Sequence, residues 1–471
     1  MTTHLRNLGR AGLLIGMSML LAALAPAAMA APPGSASDAA YVPGRLIVGF
    51  TPPVASAVTQ IRNRTGLPVS SLPAAAPLPA EQILRLPAGQ DVLSAAAAIR
   101  RVPGIAFAEP DYIAHAAGAW YPNDPGRTHR SRGWEKLQWN FLAGAGVNAP
   151  EAWANLIADH RAGARGVRVA IVDSGVAYRN WHQFKKSPDF RGTRFVAPCD
   201  LVSGRIKHGR CTDPYALDRY GHGTFVAGVV AEATNNRIGL TGLAYHATIM
   251  PVRVLNAYGD GDTATVAAGI RYAVAHHANV INLSLQFGEG VTAADVPSVA
   301  SALQYAYNRG VIVVAAAGND SEARLSYPAR ARTVISVAAT TRDRCLADYS
   351  DSGQGLDLVA PGGGDDASLA KDPDCHPARN LPDTYQMSFR RLGGSPRDFS
   401  LLGLTGTSMA APEVSAAAAM VIASRVIGRH PSPAAVLDRL ERTATPLGGS
   451  APNSTYGYGL VNLGAATSHT P

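Results

Sequence analysis

Three residues in this chain stand in settings that suit nucleophilic catalysis. Ser408 lies in Leu404-Thr405-Gly406-Thr407-Ser408-Met409-Ala410-Ala411-Pro412, where an Ala-rich helix should begin. A serine hydroxyl is a weak nucleophile until a base takes its proton. His222, between glycines in Gly221-His222-Gly223-Thr224, is the candidate base. Asp173 ends the apolar run Val169-Ala170-Ile171-Val172-Asp173. A carboxylate buried there needs partners, or its charged form is disfavoured. An imidazole N–H is a natural partner, and that bond fixes the tautomer that leaves the other ring nitrogen free to act on Ser408. Asn319 closes Ala315-Ala316-Ala317-Gly318-Asn319, and its amide can donate to a developing oxyanion without titrating. Taken singly, Ser408 reads as a helix cap, His222 as a structural histidine and Asn319 as a turn residue. Taken together they describe acyl transfer. A serine at a helix N-terminus also sits near unpaired backbone N–H groups that suit an oxyanion. Pro412 is expected in that helix's first turn, which loses no hydrogen bond to proline, and Glu413 near the positive end of the helix dipole.

These side chains are far apart in sequence, so elements must bring them together. From residue 147 onward, short β-branched runs (167–172, 248–255, 280–285, 311–315, 334–338 and 356–360) alternate with Ala-rich helical stretches. Continuous apolar strands between helices predict a parallel sheet covered on both faces. The fold class expected is α/β, a doubly wound, mostly parallel sheet flanked by helices. Ligands of such sheets sit beyond the carboxyl ends of the strands, where Asp173 and Asn319 fall. Ahead of this region, residues 41–116 read as a small α+β unit. Its strand candidates are 45–50, 82–86 and 105–111, with helices over 55–65, stopped by Gly66, and 91–101, capped by Asp91. The order suits a ferredoxin-like sandwich. The Gly-, Pro-, Asn- and Arg-containing stretch 118–136 reads as a linker.

The chain has 471 residues, 47% hydrophobic and only 16% charged, which supports a large core and argues against disorder. Arg6 and Arg10, the apolar stretch 11–24 and Ala28-Met29-Ala30 fit an export signal cut after Ala30. That stretch is shorter than the roughly 20 residues a membrane span needs, and no stable membrane association is expected. Net charge is +8, but the cations are scattered along the sequence, which excludes a dense nucleic-acid-binding block. The even number of cysteines in an exported chain favours disulfides. Four cysteines allow three pairings; Cys199 with Cys211 and Cys345 with Cys375 is expected, because each pair would close a Gly-, Pro- and Asp-rich loop. There is no Cys-x-x-Cys spacing to suggest a zinc site.

The runs around Asp173, His222, Asn319 and Ser408 resemble those of the subtilisin-like serine endopeptidases, the subtilases. Val252-Arg253-Val254-Leu255, Asn282-Leu283-Ser284-Leu285, Val359-Ala360-Pro361-Gly362 and the closing Tyr456-Gly457-Tyr458-Gly459-Leu460-Val461-Asn462 add lesser matches. The first unit, with Ile47-Val48-Gly49-Phe50 and Glu109-Pro110-Asp111, resembles the family's inhibitory propeptide. The resemblance implies a signal peptide (1–30), a propeptide that templates folding and inhibits (31–118) and a peptidase domain (119–471). It implies self-cleavage between about Ala114 and Trp120, an exposed boundary. It implies a secreted, monomeric endopeptidase acting on polypeptides, with its own propeptide as intramolecular inhibitor and no nucleic-acid partner. Asp173, His222 and Ser408 would be the triad, and Asn319 an oxyanion donor. Gly259-Asp260-Gly261 and Ser284-Leu285-Gln286 would flank the substrate. No cofactor is implied for the chemistry. A structural Ca²⁺ is, because Thr234-Asn235-Asn236-Arg237-Ile238-Gly239-Leu240 resembles the family's calcium loop, with Asn236 and Asp189 as side-chain ligands. Three features depart from the family pattern. Gln286 stands where glycine is usual beside the first specificity pocket, which narrows the pocket mouth. Glu413 replaces a common histidine, which affects packing. The stretch 362–403 is longer than usual and is expected to shape a substrate rim.

Overall fold

The computed structural model describes residues 41–50, 57–72, 81–87, 89–112, 118–128, 130–369, 375–377 and 379–469. The expected signal peptide with its cut after Ala30, the start of the first helix and most of the self-cleavage window lie outside them.

The first unit runs β1 (Tyr41–Phe50), α1 (Ala57–Thr65), β2 (Ser70–Leu72), β3 (Glu81–Arg85), α2 (Val92–Ile99) and β4 (Ile105–Tyr112). Its antiparallel sheet has the order β2-β3-β1-β4, as in the ferredoxin-like sandwich expected. Leu46 and Val48 of β1, Leu84 of β3 and Ala108 of β4 pack with Ile61 of α1 and Val92, Ala95, Ala96 and Ile99 of α2. Asp91 caps α2 as expected, its Oδ1 accepting from Ser94 N–H at 2.8 Å. Strand β2 carries only three residues and was not anticipated.

The second part builds on α3 (Ala149–Ala158), β5 (Arg168–Asp173), β6 (Arg194–Phe195), β7 (Cys199–Asp200), β8 (Ile206–Lys207), β9 (Arg210–Cys211), α4 (His222–Ala231), β10 (Thr248–Arg253), α5 (Thr263–Ala275), β11 (Val280–Leu283), α6 (Pro297–Asn308), β12 (Ile312–Ala316), β13 (Ile335–Thr340) and β14 (Leu358–Pro361). There follow β15 (Thr384–Phe389), β16 (Phe399–Leu404), α7 (Thr407–Ser424), α8 (Pro433–Thr443) and α9 (Leu463–Thr467). The central sheet has the order β14-β13-β12-β11-β5-β10-β6, and every ladder in it is parallel. Alternate residues feed two cores, which is why these strands read as unbroken apolar runs. Ile171, Val280 and Val314 face α4 and α7, whereas Val172, Ile281 and Val313 face α5 and α6. The chain leaves β5 for β10 on one side and then returns across it to β11 on the other. Strand order reverses there, and such a reversal opens a crevice at the carboxyl ends.

Two stretches differ from the sequence expectation. Residues 118–136 are not a linker. Trp134 is fully buried, with its indole N–H donating to Pro122 O at 2.9 Å, and Trp120 meets Trp153 of α3 edge-on at 5.8 Å. Turn-forming neighbours hid the large apolar area these rings bury. The long stretch before Ser408 holds the β15–β16 hairpin, which packs on α4.

Candidate active site

Asp173 is the last residue of β5 and is fully buried. Its Oδ1 accepts from Ser174 N–H at 2.6 Å and faces His222 Nδ1 at 2.8 Å, with Oδ2 3.0 Å from the same nitrogen. Gly223 permits this approach. A Cβ there would lie 2.2 Å from Gly175 O and 3.0 Å from Asp173 Oδ1.

His222 opens α4. The turn before it winds around Asp218, a buried carboxylate that accepts from Tyr220 N–H (2.9 Å), Gly221 N–H (2.8 Å), Thr224 N–H (2.9 Å) and the Ser174 hydroxyl (2.9 Å). Burial alone would pull the imidazole pKa down. The charge and hydrogen bond of Asp173, helped by the charge of Asp218, outweigh that and hold it above its ordinary value. The β15–β16 hairpin fixes the same turn from outside: the Ser388 hydroxyl donates to Gly221 O (2.6 Å) and Gly393 N–H to Tyr220 O (2.7 Å). None of residues 362–403 lines the catalytic cleft among the described residues. The described part of this stretch braces the turn before His222.

Ser408 is the second residue of α7, after Gly406 at φ 144°, a conformation that favours glycine. Proline 412 is the sixth residue of the helix, not a first-turn residue, and its missing N–H leaves Ser408 O without a helical donor. The Ser284 hydroxyl donates there instead, at 2.8 Å. Ser284 Oγ in turn accepts from Asn282 Nδ2 (2.9 Å), and Asn282 Oδ1 from the Ser415 hydroxyl (2.8 Å). This buried chain ties α7 to the end of β11. The Ser408 hydroxyl donates to Ser284 O at 3.3 Å, so engaging His222 requires it to leave that carbonyl. Catalytic hydrogen bonds commonly tighten only once substrate is bound.

Asn319 lies just past β12. Its side-chain Oδ1 accepts from Thr407 N–H (2.8 Å) and the Thr407 hydroxyl (2.9 Å), which turns its Nδ2 donor outward. Gln286 holds the same residue from the other side: its Oε1 accepts from Asn319 N–H (2.8 Å) and its Nε2 donates to Asp320 Oδ2 (2.5 Å). Gln286, which also lines the cleft, thus braces the Asn319–Asp320 turn. His222, Ser408, Asn319 and the segments Gly259-Asp260-Gly261 and Ser284-Leu285-Gln286 all line one cleft of about 370 Å³.

Glu413 does not serve the helix dipole. It lies past the first turn and is fully buried. Burial raises its carboxyl well above the ordinary value, against a 2.6 Å hydrogen bond from Asn140 Nδ2 to Oε1. Glu413 Oε2 and Asn140 Oδ1 are both buried without a partner, which disfavours the charged carboxylate.

Around the expected calcium loop, Asn236 Nδ2 donates to Asp189 Oδ1 (2.9 Å) and Leu240 N–H to Oδ2 (2.8 Å). Sequence reasoning missed two more carboxylates there. Asp124 accepts from Asn235 and Asn236 N–H (2.7 and 2.9 Å). Glu232 is fully buried, and the Met387 N–H approaches it without good hydrogen-bond geometry for either oxygen. Burial pushes Asp124 up to about 6. Burial, reinforced by the Asp124 charge, pushes Asp189 up to about 8, and burial beside Asp189 drives Glu232 well above its ordinary value. Buried carboxylates that raise one another, with orphaned oxygens among them, fit a hard divalent cation. A second group, Asp343, Asp366 and His376, has its charge partly met: Arg379 pairs with Asp343 at 3.2 Å, and the Thr341 hydroxyl donates to Asp366. Both expected disulfides, Cys199–Cys211 and Cys345–Cys375, are formed.

His222, Ser408 and Asn319 thus share one cleft at the carboxyl edge of a parallel sheet, with Asp173 behind His222, an architecture of the subtilisin type. The sequence profile of the Subtilase family matches residues 164–459, and that of the fervidolysin N-terminal prodomain matches residues 27–111. Subtilisin Savinase of Lederbergia lenta is 35% identical over 308 residues, 64% of this chain and 91% of that protein. Subtilisin E of Bacillus subtilis (strain 168) is 32% identical over 378 residues, 78% of this chain and 77% of that one. The match to the alkaline protease of Alkalihalobacillus alcalophilus, at 35% identity, spans 64% of that protein's length. A protease from Pseudoalteromonas arctica PAMC 21717 superposes with a TM-score of 0.57 at 28% identity, over 74% of this chain and 98% of that one. The chain belongs to the subtilase family, with a prodomain ahead of its peptidase region.

Proposed function

We propose that this chain is a secreted serine endopeptidase, made as a zymogen that removes its own prodomain. The observation that carries the reading is the Asp173–His222 pair at 2.8 Å opening onto the cleft that Ser408 and Asn319 share. Ser408 Oγ attacks the substrate carbonyl carbon while His222 Nε2 takes the hydroxyl proton. Asn319 Nδ2 and the Ser408 N–H hold the oxyanion. The tetrahedral species collapses, the C–N bond breaks, and His222 returns the proton to the leaving amine. Water then attacks the acyl-enzyme, giving its proton to His222; the acyl C–Oγ bond breaks, His222 returns that proton to Ser408 Oγ, and the new acid leaves. Asp173 steadies the imidazolium through its hydrogen bond to Nδ1.

The segments Gly259-Asp260-Gly261 and Ser284-Leu285-Gln286 flank the bound polypeptide. Residues 1–30, 31–118 and 119–471 are signal, propeptide and peptidase, and no helix of the described residues is long and apolar enough to cross a membrane. The chemistry uses no cofactor. Asp124, Asp189, Glu232 and Asn236 would hold a structural Ca²⁺, which supplies charge neutralisation and takes no part in a chemical step. The mature enzyme acts as a monomer.

Ser408→Ala tests the reading. Expressed in a host lacking other proteases, it should accumulate as a full precursor that keeps its propeptide, whereas the parent is processed. Mature-sized protein from the variant would refute self-cleavage by Ser408.

A further inference from the structure

At the edge of the sheet opposite the cleft lies a larger cavity, about 660 Å³, that the proteolytic reading does not use. It opens where β5, β11 and β12 begin, at Val167, Asn279 and Ile312, and where α7 ends and α8 starts. Asp173 ends the strand that Val167 precedes, so the length of that strand, about 20 Å, separates the two sites. Its lining gathers Arg161, Arg165, Arg309, Arg425, Arg429 and His430, and no carboxylate appears among the described residues that line it. Like charges so placed repel. Lost hydration, and then the charges of Arg161 and Arg429, pull the guanidinium of the exposed Arg425 below its ordinary value. Some of the donors are engaged, Arg165 with His246 Nδ1 at 3.3 Å and Arg309 over the Tyr305 ring at 5.0 Å, but among the described residues that line the cavity no carboxylate offsets the cluster. Helix α8, capped by the Ser432 side chain, starts at the same wall and adds the positive end of its dipole. Sequence inspection could not find this site, since its cations come from segments nearly 270 residues apart.

We propose that this cavity is a binding site for a multiply phosphorylated anion, remote from and independent of the catalytic cleft. Guanidinium forks match phosphate oxygens in pairs. Several guanidiniums around one cavity call for several negative charges within a compact ligand, as an oligophosphate or a phosphorylated headgroup provides. A cavity of this size accommodates a ligand of small-molecule dimensions.

The test uses full-length Ser408→Ala protein, in which self-digestion is blocked, titrated calorimetrically with sodium tripolyphosphate. Expected is one saturable site, weakened at least about tenfold in Arg161→Gln/Arg429→Gln and by raised NaCl. Chelation of calcium by the probe is common to both proteins and cancels in the comparison. The double variant should also melt above its parent without ligand, because repulsion is relieved, and lose the rise in melting temperature that tripolyphosphate gives the parent. A lowered melting temperature with unchanged affinity would overturn the proposal. So would equal affinity of parent and variant, or tighter binding of a hexaglutamate peptide than of tripolyphosphate. Vesicles of phosphatidylcholine with and without phosphatidic acid distinguish the source. Binding to acidic vesicles that the double variant loses assigns a lipid phosphate. Tripolyphosphate binding without vesicle binding assigns a soluble one. Binding of neither contradicts the site.

Discussion

At the scale of single residues, Asn319 is held at two points. Thr407 takes its side-chain oxygen, as the proposed oxyanion donor requires, and Gln286 takes its backbone N–H. Gln286 therefore gives the Asn319 turn a hold that glycine at this position would lack, and in the proposed function it should also narrow the pocket mouth. In mature enzyme, Gln286→Gly should lower kcat on a peptide with alanine before the cut by several-fold, while raising kcat/KM for phenylalanine relative to alanine about tenfold. Steady-state kinetics on the two peptides check this, and an unchanged ratio would show that the side chain does not gate the pocket. Asp173, His222, Ser408 and Asn319 were legible in the sequence because each sits in a short run whose neighbours serve it locally. Asp218 and Thr407 were not, because their roles depend on the path of a turn and on a contact across 88 residues.

At the scale of elements, α7 carries Ser408 at its start and is packed inside the molecule, and only Ser408 and Ile422 of its residues escape burial. Its polar residues must then find partners inside. Ser415 does so through Asn282; Glu413 has Asn140 at one oxygen only, and burial favours its neutral form. Its folded carboxyl value is raised, so its contribution to stability is present below the ordinary carboxylate pKa of about 4.5 and is lost as pH rises toward the folded value. Glu413→Gln removes that ionisation. In the Ser408→Ala background it should melt a few degrees higher than its parent at pH 8, with the difference shrinking toward pH 4.5. Melting curves across that range check it, and a variant equally destabilised at every pH would contradict the protonated-acid account. The strands of the central sheet were legible because burial on both faces leaves unbroken apolar runs. The β15–β16 hairpin was not: its partners, Gly221 and the α4 helix, lie more than 150 residues away, and its ends are flanked by Gly, Pro and Asp. Residues 118–136 misled for a related reason, since composition records turn formers but not where Trp120 and Trp134 go.

At the scale of the whole molecule, unbalanced charge marks two places. The acidic one joins Asp124, from the start of the peptidase region, to Asp189, Glu232 and the loop before Leu240, so a cation there would fasten distant segments. Excess Ca²⁺ should raise the melting temperature of the Ser408→Ala protein by about 5–10 °C, the shift expected when a ligand far above its dissociation constant binds only the folded state. Asp189→Asn should lose most of that rise, and an equal rise in the variant would place the ion elsewhere. The basic place is the far cavity, whose cations are scattered in sequence and convene only in the fold. The α/β class and the cysteine pairing were legible at this scale; the charge distribution was not, because it depends on which loops share an edge of the sheet. The central claim, that Asp173 and His222 make Ser408 nucleophilic, is tested most directly by exposing mature enzyme to a fluorophosphonate and mapping the adduct by mass spectrometry. The account predicts one adduct, on Ser408, with casein hydrolysis lost in step, and virtually no labelling of His222→Ala refolded with separately added prodomain. Labelling at another residue with hydrolysis lost, or undiminished labelling of Ser408 without His222, would contradict it.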